Sequence, residues 1–114
     1  MSPLRITSRS APTGPVLAVV GELDYEHAAG LRQEVELLTL RPGQRLTLDL
    51  AGMEFCDSSG IAALLAARQH AQTAGAEIAL ASVPAGTLRV LSVVGLDQVF
   101  ALLPDTDADA AGSA

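Results

Sequence analysis

Apolar and polar residues follow two different periods along this chain, and each change of period marks a new element. Leu4, Ile6 and Ser8 alternate with Arg5, Thr7 and Arg9, which predicts a short edge strand over residues 4–9. Pro12 to Pro15 supply the turn after it. Val16 to Val20 is a nearly continuous apolar run, as in a central strand covered on both faces, and it stops at Gly21-Glu22-Leu23-Asp24. The period then lengthens. Ala28, Leu31, Val35 and Leu38 recur at spacings of three and four, which predicts a helix over 26–40 with Arg32, Gln33, Glu34 and Glu36 toward solvent. Asp24 stands near its start, as a cap or as a charge favoured by the helix dipole, and Arg41-Pro42-Gly43 ends it.

Period two returns at 45–50, where Leu46, Leu48 and Leu50 alternate with Thr47 and Asp49, a strand with one buried face. Ile61 to Thr73 is rich in Ala and Leu, with Ile61, Leu64 and Leu65 on one helical face and Gly75 as a left-handed cap. Glu77 to Ala81 reads as a further core strand. Pro84 suits the first turn of a helix over 86–94, which ends at Gly95 with Leu96 folding back on it. Val99 to Leu103 gives a last short strand, stopped by Pro104. Strands and helices in alternation predict a single α/β domain: a mixed sheet of four to five strands, mostly parallel, with helices packed against it.

Composition narrows the function classes. The only aromatics are Tyr25, Phe55 and Phe100, so the core is aliphatic. A net charge of −6, with seven scattered arginines and no lysine, argues against direct nucleic-acid binding, which needs clustered cations. Cys56 is the lone cysteine, which excludes an internal disulfide and fits a reducing compartment. No apolar stretch is long enough for membrane insertion, so a soluble cytoplasmic protein is expected. Asp105, Asp107 and Asp109 among Ala, Gly and Ser predict that residues 104–114 form a disordered acidic tail behind a domain spanning 1–103. His27 and His70 read as surface residues on separate helices. With no second cysteine and no metal-spaced histidines, neither a metal nor a cofactor is expected.

The chemistry concentrates in Phe55-Cys56-Asp57-Ser58-Ser59-Gly60, which joins the strand at 45–50 to the Ala-rich helix. One polar residue there is explained as a helix cap; three are more than a cap requires. A helix N-terminus gathers N–H donors and the positive end of the macrodipole, so a phosphate on Ser58 would be stabilised there, while Asp57 beside it would repel one. The pair describes a site whose charge can be switched. Cys56 reads as a small buried hydrophobe, and Met53 and Phe55 as packing. The stretch also approaches the nucleophile elbow G-x-S-x-G, but its first glycine is missing and no histidine follows in a triad order, so no enzyme is expected.

Leu48-Asp49-Leu50 followed by Phe55-Cys56-Asp57-Ser58-Ser59-Gly60-Ile61 resembles the STAS domain of bacterial anti-sigma factor antagonists. Gly21-Glu22-Leu23-Asp24, and Arg89-Val90-Leu91 through Gly95-Leu96-Asp97 with Phe100 beyond, fit the same pattern in the same order. The resemblance covers residues 4–103 and implies a partner-switching regulator of transcription. In such proteins the unphosphorylated form binds an anti-sigma factor that is also a serine kinase and so frees the sigma factor; phosphorylation abolishes binding, and a serine phosphatase restores it. Carried over by position, the phosphorylated residue is Ser58, and the partner-binding surface comprises Asp24, Asp57, Ser58, Ser59 and Gly60. Ser59 is read as a helix cap, and the chain as a monomer or weak dimer. One departure is Ala62, where many members carry glycine, which stiffens the helix start. The resemblance equally admits a constitutive STAS interaction module, transporter-associated or a scaffold subunit, without phosphoregulation.

Overall fold

The computed structural model describes residues 3–105. Strand β1 (Arg5–Ala11) and strand β2 (Gly14–Leu23) form an antiparallel hairpin closed by Pro12-Thr13. Gly14 is needed at its base: a side chain there would place its Cβ 2.3 Å from the carbonyl oxygen of Arg45. Helix α1 (Ala28–Glu36), strand β3 (Arg45–Asp49), strand β4 (Met53–Cys56) and helix α2 (Ser58–Thr73) come next. Strand β5 (Glu77–Ala81), helix α3 (Ala85–Val93), a 3₁₀ turn (Leu96–Gln98) and strand β6 (Ala101–Leu103) complete the order.

The six-stranded sheet runs β1-β2-β3-β5-β6, with only β1 antiparallel, and β4 pairs with β2 off this path. Every crossover from β2 to β3, β5 and β6 advances in one direction. Right-handed connections therefore place all three helices on one face. Leu17, Leu48 and Leu80 stand in register on that face. They meet Leu31 and Val35 of α1, Ala63, Leu64, Ala67 and Ala71 of α2, Leu91 of α3, and Phe100. Each leucine so buried contributes about 2 kcal/mol.

The α/β class, the edge position of β1 and the left-handed caps at Gly75 and Gly95 follow the sequence reading. Other expectations need correction. The sheet has six strands because Met53–Cys56 pairs with β2, with the register shifted by one residue at Glu54, whereas periodicity alone predicts a connection over this stretch. Helix α1 is shorter than 26–40, since the turn at Asp24 to His27 precedes it and Leu38 packs from the loop beyond. On α2, Leu65 is exposed, and the buried stripe passes through Gly60, Ala63, Leu64, Ala67 and Ala71. Helices cover β2 on one face only. The tail beyond Asp105 lies outside the described residues.

Candidate functional site

The first half of β2 pairs with β3 and its second half with β4, where the extra residue Glu54 on β4 shifts the register after Gly21–Met53, so Glu22 stands beside Phe55 and Leu23 beside Cys56. Two motifs thirty residues apart in the chain, to order of magnitude ~100 Å if extended, thus become neighbouring strand ends. The Asp57 N–H donates to the Leu23 carbonyl at 3.4 Å, and both strands hand over to helices there.

Asp57 does two structural jobs. It is the extended cap residue of α2, and its Oδ1 accepts the Gly60 N–H at 3.0 Å. Its Oδ2 accepts the Tyr25 N–H at 3.2 Å, which ties the loop after β2 to the start of α2. Neither serine caps the helix, contrary to the expectation for Ser59. Ser58 and Ser59 occupy the first two helical positions, and among the described residues neither hydroxyl makes a hydrogen bond. Ser58 is exposed, Ser59 and Asp57 are half-buried, and Gly60 is buried. A Cβ on Gly60 would lie 2.3 Å from the Leu23 carbonyl oxygen and 2.7 Å from the Cys56 sulfur, so this glycine is a close-packing residue.

Asp24 is half-buried and faces inward along its own loop. Its Oδ1 accepts the His27 N–H at 3.1 Å and lies 2.7 Å from His27 Nδ1. Partial loss of hydration raises the pKa of this carboxyl, but the hydrogen bonds and charge of His27 outweigh it and hold the group below its ordinary value. Cys56 is shifted the other way: burial first, then the neighbouring Asp57 charge, push its thiol up to about 11. It is therefore a protonated, unreactive thiol at neutral pH.

Asp24, Tyr25, Glu26, Phe55 and Asp57 line an open notch of about 680 Å³. Tyr25 is 84% exposed and Phe55 50%. Phe55 is thus not the packing residue the sequence suggested, because the extra residue Glu54 breaks the alternation of β4 and turns Phe55 away from the buried face of Met53. The chain places two of its three aromatics at one notch, and exposed aromatics are enriched where proteins meet partners. Their adjacency to the two motifs was the signal by which they could have been found.

Asp24, Glu26 and His27 bring one ligand atom each within 4.8 Å, but the closest pair of these atoms is already joined by a hydrogen bond. His27 is half-buried at the cap of α1, and His70 is half-buried in the groove between α1 and α2, so neither is a free surface residue. His70 stands about 18 Å along α2 from Ser58, too far to act on its hydroxyl. What the arrangement offers is an exposed hydroxyl at the positive end of a sixteen-residue helix. No described helix is long and apolar enough to cross a membrane.

Comparison with known proteins fits this geometry. A STAS-domain containing protein of Pseudomonas aeruginosa is 27% identical over 99 residues, 85% of this chain and 97% of its own length. The crystal structure of an anti-sigma factor antagonist from Mycobacterium paratuberculosis superposes with a TM-score of 0.77 at 26% identity, over 95% of this chain and 92% of that one. A sulfate transporter family protein from Wolinella succinogenes shares the fold with a TM-score of 0.71 at 16% identity, over 82% and 78% of the two chains. Residues 6–104 match the family model described as Mlab, STAS domain, and the chain belongs to the STAS domain family.

Proposed function

We propose that this chain is an anti-sigma factor antagonist that works by partner switching through Ser58. The observation that carries the proposal is the division of labour at the start of α2: Asp57 caps the helix, which leaves the exposed Ser58 hydroxyl without a structural task. In its unmodified form the chain binds a serine-kinase anti-sigma factor, and the surface that meets it contains Ser58, Ser59 and the notch held between Asp24 and Asp57. Phosphate on Ser58 adds about −1.5 to −2 charges beside Asp57. Against a partner that closes over the helix start, this like-charge crowding and the lost desolvation weaken binding by several kcal/mol, with no refolding. A serine phosphatase reverses the step. The chain acts by binding, as a cytoplasmic non-enzymatic module.

The test is intact mass and peptide mapping of residues 46–68 in protein purified from its native host, with and without phosphatase treatment. A phosphatase-sensitive phosphate on Ser58 supports the switch, and its absence across growth conditions overturns it. Binding is measured next: Ser58→Ala retains the partner and Ser58→Asp loses it.

A second reading is a constitutive module of a transporter. It is favoured by the Mlab description of the matching family model and by the shared fold of the sulfate transporter family protein. Its partner binding would be indifferent to charge at residue 58, so equal affinities of Ser58→Ala and Ser58→Asp would select it.

A further inference from the structure

The path of the sheet ends on two strands of opposite character, β1 and β6. Strand β1 carries Arg5 and Arg9, charges of the kind that keep an exposed edge from pairing with another chain. Strand β6, Ala101-Leu102-Leu103, has no charge, no proline and no break in register, and Ala101 and Leu102 are exposed. The Ser82 N–H donates to the Leu103 carbonyl at 3.0 Å, so Leu103 turns its backbone groups toward the end of β5. By alternation Leu102 turns its own N–H and C=O outward, where no described strand meets them.

The side chains beside this edge are largely apolar. Register with Leu80 puts Leu102 on the helix face of the sheet, where it is 37% exposed. Leu88 of α3 is 38% exposed, and the two leucines line a cleft of about 250 Å³ with Ser82, Val83, Leu103 and Pro104. Charge is balanced here, although the whole chain carries −6: from Ala85 to Leu103 the charged residues are Arg89 and Asp97, one of each sign. Such a surface can meet its own copy without like-charge repulsion. The acidic notch at Asp24, Glu26 and Asp57 cannot.

We infer that β6 and Leu88 form a self-complementary docking surface for a second copy of this chain. A two-fold axis through Leu102 sets β6 antiparallel to β6 of the second copy. Leu102 then faces Leu102 of the second copy and exchanges both backbone hydrogen bonds with it, while Ala101 faces Leu103 in each direction. The occupant of this site must bring an open strand edge and an exposed leucine beside it, and a second copy brings both by symmetry. Both α3 helices lie on the same side of the joined sheet, and Leu88 of each covers the cleft beside Leu102. The contact is small, so the dimer is weak, in the class of interfaces that bury less than about 1,200 Å². It leaves Ser58 and the notch open, since none of the cleft residues belongs to them.

Sedimentation equilibrium of the full chain tests the association. Between about 10 μM and 1 mM the mass is expected to rise from 11.7 kDa toward twice that value, and a mass that stays at 11.7 kDa overturns the proposal. Leu102→Lys puts like charges on the axis and is expected to raise the dissociation constant by about tenfold or more. A dimer that survives this change uses another surface, and the proposal fails. Because a substitution in a short strand can disturb folding, NMR locates the contact in the unaltered chain: the amides of Leu88, Ala101, Leu102 and Leu103 shift with concentration, and those of Arg5, Thr7 and Arg9 do not. Shifts confined to other residues overturn the placement. Cross-linking reads the register. In a Cys56→Ser background, Leu102→Cys is expected to oxidise to a covalent dimer faster than Thr7→Cys on β1, and equal or reversed rates would show that β6 is not the joined edge.

Discussion

Assigning the α2 cap to Asp57 rather than to a serine has an energetic consequence that three variants measure. Asp57→Ala removes the Oδ1 bond to the Gly60 N–H and the Oδ2 bond to the Tyr25 N–H. Loss of a helix cap costs ~1 kcal/mol, within a range of about 0.5–2. The second bond, to an exposed amide that water can serve instead, adds up to about 1 kcal/mol. The sum is about 2 kcal/mol, which at a urea m-value of ~2 kcal/mol/M lowers the unfolding midpoint by about 1 M. Asp57→Asn keeps a competent cap and is expected to lose less than half of that. Ser58→Ala removes no hydrogen bond and stays within about 0.5 kcal/mol of the parent. Urea unfolding followed by circular dichroism reads all three. If Ser58→Ala proves as costly as Asp57→Ala, the serine is structural and the division of labour at the helix start is refuted.

Three further outcomes rest on the same geometry. Gly60→Ala forces a Cβ against the Leu23 carbonyl and Cys56, and is expected to destabilise by at least the ~1–3 kcal/mol of an overpacked site, read as a lowered melting temperature; an unchanged value would contradict the close approach. Cys56, with its thiol at about 11 against an ordinary 9.0, carries ~100-fold less thiolate at neutral pH, so a thiol reagent should modify it about a hundredfold more slowly in the folded chain than in urea. Asp24 has a lowered folded pKa, so its contribution to stability is fully present above the ordinary value of 3.8 and is lost as pH falls through the lowered one. The difference in urea midpoint between the parent and Asp24→Asn should therefore be present at neutral pH and vanish in acid. A difference that persists at low pH would show that the carboxylate is not its source.

Much of this was legible in the chain because it was written in local chemistry. The leucine alternation at 46–50 and the glycines at 75 and 95 mark their elements without help from distant residues. The strand at Met53–Cys56 was not legible, since four residues are too few to show a period, the extra residue Glu54 breaks what period there is, and the partner strand lies thirty residues away. The identity of the cap was also hidden. Asp57, Ser58 and Ser59 are all good cap formers, and only the register that brings Tyr25 to Asp57 decides among them. The outward turn of Phe55 likewise comes from that pairing, because composition alone assigns a scarce aromatic to the core.

The free hydroxyl of Ser58 has a consequence for how long the protein lasts. Degradation of small domains tracks the population of unfolded chains, and a group that bears no part of the fold can be chemically altered without changing that population. Modified and unmodified copies would then be cleared at the same rate. The size of the pool would then not depend on which form dominates, and the ratio of the two forms would be set by the enzymes that write and erase the mark.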